Sequence, residues 1–164
     1  MKHFIWLLML SLSLPACAQR KLPRRSKAST SLAKPAQATE PVLVFQRTPC
    51  YGTCPAYKAT IFADGRVEYD GQRFVTLLGK HTLRLPVATV QGMLAEAKRI
   101  DFNSLQARYS HNTSDLPSTI ITVHPVGQSA KVVSAEEDYP EKLQGYINYL
   151  KAKLDPLADT KPTE

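Results

Sequence analysis

Ala56-Tyr57-Lys58-Ala59-Thr60-Ile61-Phe62-Ala63-Asp64-Gly65-Arg66-Val67-Glu68-Tyr69-Asp70 decides the fold. Tyr57, Ala59 and Ile61 fall on one face of the first half, and Lys58 and Thr60 fall on the other. That period of two is the mark of a half-buried strand. Asp64-Gly65 is a strong hairpin signal, because a tight two-residue turn needs positive φ at its centre and Gly supplies it without steric cost. Val67 and Tyr69 then return on the inward face. The stretch is one antiparallel hairpin, and the rest of the chain is read outward from it.

Upstream, residues 42–45 are apolar and β-rich, and the run carries on to Arg47. Downstream, Gly71 breaks the strand, residues 73–78 supply another, and Gly79-Lys80 turns into residues 81–85 with Leu83 and Leu85 inward. Pro86 suits the first turn of a helix, where its missing N–H costs nothing. Val87, Val90, Leu94, Ala97 and Ile100 follow at helical spacing, with Phe102 and Leu105 packing beneath the helix end. Residues 110–117 read as a polar loop. Strands follow at 119–124 and 130–134, joined by a turn at 126–129. Pro140 opens a last helix with Leu143, Ile147, Leu150 and Leu154 on one stripe and Tyr146 beside it. Two amphipathic stripes and a hairpin-rich sheet predict an α+β domain over residues 41–154. It has a mainly antiparallel sheet of about six strands, with both helices packed on one face as a second layer. Lys58, Thr60, Arg66 and Glu68 belong to the other, solvated or interacting, face. Residues 155–164 read as a flexible tail.

Lys2 and His3 precede an apolar run over residues 4–14, broken only by Ser11 and Ser13. The run is too short to span a bilayer as a helix. A basic start, a short apolar core and then small residues describe a secretory signal peptide over residues 1–17. Two cleavage readings compete. Leu14-Pro15-Ala16-Cys17 resembles a bacterial lipobox, which makes lipidated Cys17 the first mature residue and anchors the protein to a membrane; each buried acyl CH₂ contributes about 0.8 kcal/mol. Ala16-Cys17-Ala18 also fits small-x-small cleavage before Gln19, which gives a soluble periplasmic protein. The lipoprotein is the favoured expectation, and both readings place the protein in the cell envelope.

The chain carries 21 Lys/Arg against 14 Asp/Glu, a formal net charge of +7. The excess is local. Residues 18–40 hold Arg20, Lys21, Arg24, Arg25, Lys27 and Lys34 against Glu40 alone, whereas residues 41–164 hold 14 basic and 13 acidic residues. Rich in Ser, Ala and Pro, residues 18–40 cannot bury enough apolar surface to offset their ordering entropy and read as a disordered basic tether. A near-neutral domain behind a tether without interleaved aromatics excludes nucleic acid as the expected partner.

Arg47-Thr48-Pro49-Cys50-Tyr51-Gly52-Thr53-Cys54-Pro55 lies between the first two strands. In an oxidising compartment the pair reads as a Cys50–Cys54 disulfide that pins the loop. A ring this short stabilises by only about 2 kcal/mol, so its main effect is to hold one loop shape. A second reading stays open. Thiolate pairs suit Cu(I), Cys-x₃-Cys-Pro is the spacing of thioredoxin-like copper-delivery proteins, and His81, His111 and His124 are candidate further ligands. In those proteins the motif leads into a helix, whereas Pro55 leads into a strand. The same pair could serve thiol–disulfide exchange.

The cysteine nonapeptide followed by Tyr57, then Asp64-Gly65-Arg66-Val67-Glu68-Tyr69, Gly71, Gly79, Asp115-Leu116-Pro117 and Tyr139-Pro140, resembles family 6438 of the domains of unknown function, a bacterial envelope family. The resemblance covers nearly all of residues 41–154. It implies export, often with lipidation, and brings no assigned catalytic residues. The chain contains no Gly-x-Ser-x-Gly elbow, phosphate loop, His-Glu-x-x-His or dinucleotide fingerprint, and no cofactor is expected. The leading expectation is a non-catalytic module that binds an envelope protein, glycan or lipid, with Arg47, Tyr51, Thr53 and Tyr57 as its exposed contact residues. The alternative is a soft-metal or redox protein built on Cys50 and Cys54.

Overall fold

The structure, a computed structural model, describes residues 38–113 and 115–160. The signal peptide, Cys17, most of the tether and the last four residues lie outside the described residues. The elements run β1 (Pro41–Arg47), β2 (Ala56–Phe62), β3 (Arg66–Arg73), β4 (Gly79–Arg84), α1 (Val87–Arg99), β5 (Arg108–Tyr109), β6 (Thr119–Val123), β7 (Lys131–Ala135) and α2 (Glu141–Ala158). The fold is α+β. Its sheet has seven strands in the order β4-β3-β2-β1-β6-β7-β5, antiparallel except where β5 pairs with β7. No helix among the described residues is long and apolar enough to cross a membrane.

The β2–β3 hairpin forms as its sequence demands. Gly65 takes φ +84°, Asp64 Oδ1 accepts the Arg66 N–H at 3.0 Å, and the Gly65 N–H donates to the Phe62 carbonyl at 3.0 Å. A Cβ on Gly65 would sit 2.3 Å from the Leu85 carbonyl oxygen, so the turn also needs glycine for the close approach of the strand end.

Strand parity then sorts the side chains. Leu43 and Phe45 of β1, Tyr57, Ala59 and Ile61 of β2, Val67 and Tyr69 of β3, and Ile121 and Val133 of β6 and β7 are buried. They form one cluster with Val90, Met93 and Ala97 of α1 and with Leu143, Tyr146, Ile147, Leu150 and Leu154 of α2. Tyr146 ties the helices together: its hydroxyl donates to the Met93 carbonyl at 3.2 Å, and Phe102 meets its ring edge-on at 5.8 Å. On the opposite parity, Lys58, Glu68, Lys80 and Thr82 are exposed.

Four expectations change. The sheet has seven strands rather than about six, because Arg108–Tyr109, too short to show a period, adds a parallel edge. Residues 73–78 do not form a separate strand. β3 runs through Gly71 to Arg73, and the next residues turn, with Phe74 at φ +53° and Leu77 folded into the core with its N–H donating to the Ala158 carbonyl at 2.9 Å. α2 continues past Leu154 to Ala158 with Pro156 inside it, because Leu154 and Ala158 are both buried. Arg66 is not solvated: its guanidinium stacks on Phe62 at 3.4 Å, donates to the Ala38 carbonyl at 2.9 Å and pairs with Glu68.

Candidate functional site: the disulfide-closed loop and its base

The sheet register gathers three loops at one end. Arg47, the last residue of β1, pairs with Tyr57 and with Thr119, Ala56 pairs with Arg73, Gly71 pairs with Gly79, and Ala135 pairs with Thr119 and Tyr109. The loops at 48–55, 74–78 and 110–118 therefore open side by side.

In the first of these loops Cys50 and Cys54 are joined, with S–S 2.00 Å and Cα–Cα 5.7 Å. The Gly52 N–H donates to Cys50 Sγ at 3.3 Å inside the ring. Tyr51 projects from the ring at 90% exposure, and Thr53 is exposed beside it. Tyr51 and Pro49 share a shallow concavity with Arg73 from the end of β3 and Asp115 from the loop after β5. Thr48 clamps that loop: its N–H donates to the Ser118 carbonyl at 3.0 Å, and the Ser118 N–H donates to Thr48 Oγ1 at 2.7 Å.

The model of a family described as Domain of unknown function (DUF6438) matches residues 41–154, from the first residue of β1 into α2. The chain belongs to this family. No curated protein matches it.

Two of the four expected contact residues of this DUF6438 chain are not open to a partner. Arg47 and Tyr57 have the parity of Phe45 and Ala59, so they point toward α2 and not outward. Tyr57 is fully buried, and its hydroxyl donates to Asp155 Oδ1 at 2.6 Å. Arg47, its side chain one-fifth exposed, donates from one nitrogen to both Asp155 oxygens at 3.2 and 3.3 Å. Burial and the bond to the Asp155 carboxylate push the Tyr57 phenol far above its ordinary range, so it stays a donor at every physiological pH. Arg47, Tyr57 and Asp155 are the base on which the loop stands, whereas Tyr51 and Thr53 are its exposed residues.

The expected further metal ligands lie apart. His81 is in β4 at one sheet edge, its Nε2 donating to the Leu78 carbonyl at 2.8 Å. His124 follows β6. His111, in the loop after β5, meets Asp138 at 2.8 Å through Nε2, while its N–H donates to Glu137 at 2.7 Å. The Thr113 hydroxyl and that N–H hold the Glu137 carboxyl below the usual carboxylate range. Among the described residues no three His, Cys, Asp or Glu side chains converge on a metal position, and the two sulfurs are bonded to each other.

Sequence reasoning missed Asp155, Arg73 and Asp115. Asp155 was legible in part. Leu154 and Ala158 are spaced i, i+4 on the α2 stripe and could have carried the helix past Pro156. Arg73 and Asp115 reach Tyr51 only through sheet register and loop packing, which no local pattern encodes.

Proposed function

We propose that this chain is an exported cell-envelope protein, lipidated at Cys17, that acts as a non-catalytic binding module through the loop end of its sheet. The observation that carries the reading is Tyr51, an aromatic side chain held 90% exposed on a covalently closed ring. Closing the ring removes loop entropy before a partner arrives, so less is lost on binding. Phe74, Leu78 and Leu116 are exposed on the neighbouring loops, and exposed apolar side chains gathered in one place mark interaction surfaces. Both helices, in this reading, cover the inward face of the sheet as one layer, which leaves the loop end and the Lys58–Glu68 face free for an envelope protein, glycan or lipid.

Two measurements test this. Intact mass of the protein alkylated in its native envelope, with and without prior reduction, should show an acylated Cys17 and two cysteines that react only after reduction. Free reaction of Cys50 and Cys54 without reduction would shift the reading to thiol chemistry. A photo-reactive residue at position 51 should give a discrete adduct whose mass reports the partner class, whereas the same probe at exposed Gln91 on α1 should not. Equal labelling at both positions would refute the loop as the contact surface.

A further inference from the structure

The opposite end of the domain holds a cleft that the loop reading does not use. It has a volume of about 390 Å³ and lies between the C-terminal half of α1, the short helical turn after it, the start of β1 and the β6–β7 turn. Its walls are apolar: Val42, Leu94, Ala97, Phe102 and Val123 line it. Val126 stands at its mouth 99% exposed, an apolar side chain with nothing over it. The polar groups on the rim are few. Lys98 is the single lysine, His124, Asn103 and Gln128 are hydrogen-bonding groups, and Asp101 is the single acid. Lys98 forms no ion pair among the described residues.

A concave surface with apolar walls and a few polar groups describes a small-molecule site, and the volume falls within the roughly 300–1,000 Å³ of such sites. We propose that this cleft binds a single-chain carboxylate amphiphile, a free fatty acid, with its hydrocarbon chain along Leu94, Phe102 and Val123 and its carboxylate on Lys98. The wall chemistry selects a hydrocarbon because burying apolar surface there needs no polar partner. The rim selects one negative charge. A single lysine accompanied by Asp101 attracts a monoanion and offers less to a doubly charged phosphate. Covering Val126 adds to the apolar area removed from water.

The test uses the mature protein and cis-parinarate, a fluorescent fatty acid, with oleate as competitor. Saturable binding of one probe per chain, displaced by oleate, is expected. Lys98→Glu, an exposed change that leaves the core untouched, should weaken it by about tenfold or more through loss of the charge-assisted contact. Leu94→Trp should abolish binding by filling the cleft. Val126→Asp, at a fully exposed position, serves the same purpose should the tryptophan disturb folding. No saturable binding to the wild-type chain overturns the proposal. Loss in Leu94→Trp with none in Lys98→Glu overturns the carboxylate class, and loss in Lys98→Glu with none in the apolar variants overturns the cleft as the site.

Discussion

Tyr57 and Tyr69 pack in the core with their rings tilted and centroids 5.5 Å apart, yet their hydroxyls meet different fates. Tyr57 donates to a carboxylate that Arg47 also holds. Tyr69, 2% exposed, has no partner for its hydroxyl among the described residues. Tyr57→Phe should therefore lower stability by about 1–2 kcal/mol, the worth of a bond to a charged acceptor discounted for the partial exposure of Asp155. Tyr69→Phe should be neutral or stabilising at neutral pH, because it removes an unsatisfied buried group. Denaturant midpoints of the two variants check the pair, and equal losses in both would refute the assignment of partners. The pH dependence follows. Burial first, then the nearby Asp159 and Asp155 carboxylates, push the Tyr69 phenol up to about 12 from an ordinary 10.0. The unfolded chain gives up that proton first, so the stabilising contribution is intact below pH 10 and falls as pH rises toward 12. Tyr69→Phe should make the alkaline fall in the denaturant midpoint shallower. An unchanged slope would place the loss elsewhere.

At the scale of elements, the turn between β3 and β4 shows what a glycine signal can and cannot say. Gly71 reads as a strand breaker in the sequence, yet it lies within β3 and pairs with Gly79. Its reason is contact: a Cβ there would sit 1.9 Å from the Leu77 carbonyl oxygen. Backbone cannot retreat as a flexible side chain can, so Gly71→Ala should cost about 1–3 kcal/mol or more by overpacking. The same change should loosen the Leu77 bond to the end of α2, read as faster amide exchange at Leu77. Wild-type exchange there would show that the turn absorbs the methyl. The hairpin at Asp64-Gly65, the two helix starts after Pro86 and Pro140, and the inward parity of β2 were all legible, because each rests on local backbone chemistry or a short period. The loop at 74–78, the two-residue β5 and the end of α2 were not. Leu77 is inside only because α2 comes to meet it, and Pro156 reads locally as a helix end while buried Leu154 and Ala158 carry the helix through it. The candidate site divides the same way. The cysteine ring and Tyr51 stand out in the sequence. That Arg47 and Tyr57 are its base depends on Asp155, 98 residues beyond Tyr57 in the chain.

Across the whole domain, the two surfaces proposed to bind sit at opposite ends of one strand. Val42 lines the cleft and Arg47 supports the loop, both in β1. Five steps along a strand at about 3.3 Å each separate them by roughly 17 Å. Effects at sites beyond about 10 Å with no shared partner add independently. Opening the ring with Cys50→Ser/Cys54→Ser should cost about 2 kcal/mol of stability and weaken the crosslink at position 51, because the tip loses its fixed shape. The same double variant should bind parinarate as the wild type does, within about twofold. Lys98→Glu should show the reverse: weakened fatty-acid binding and an unchanged crosslink at 51. If opening the ring lowers fatty-acid affinity while the domain stays folded, the two ends are coupled. The loop would then report on the cleft, and the part-buried Arg47–Asp155–Tyr57 base would be the first place to look for the second arrangement that such coupling requires.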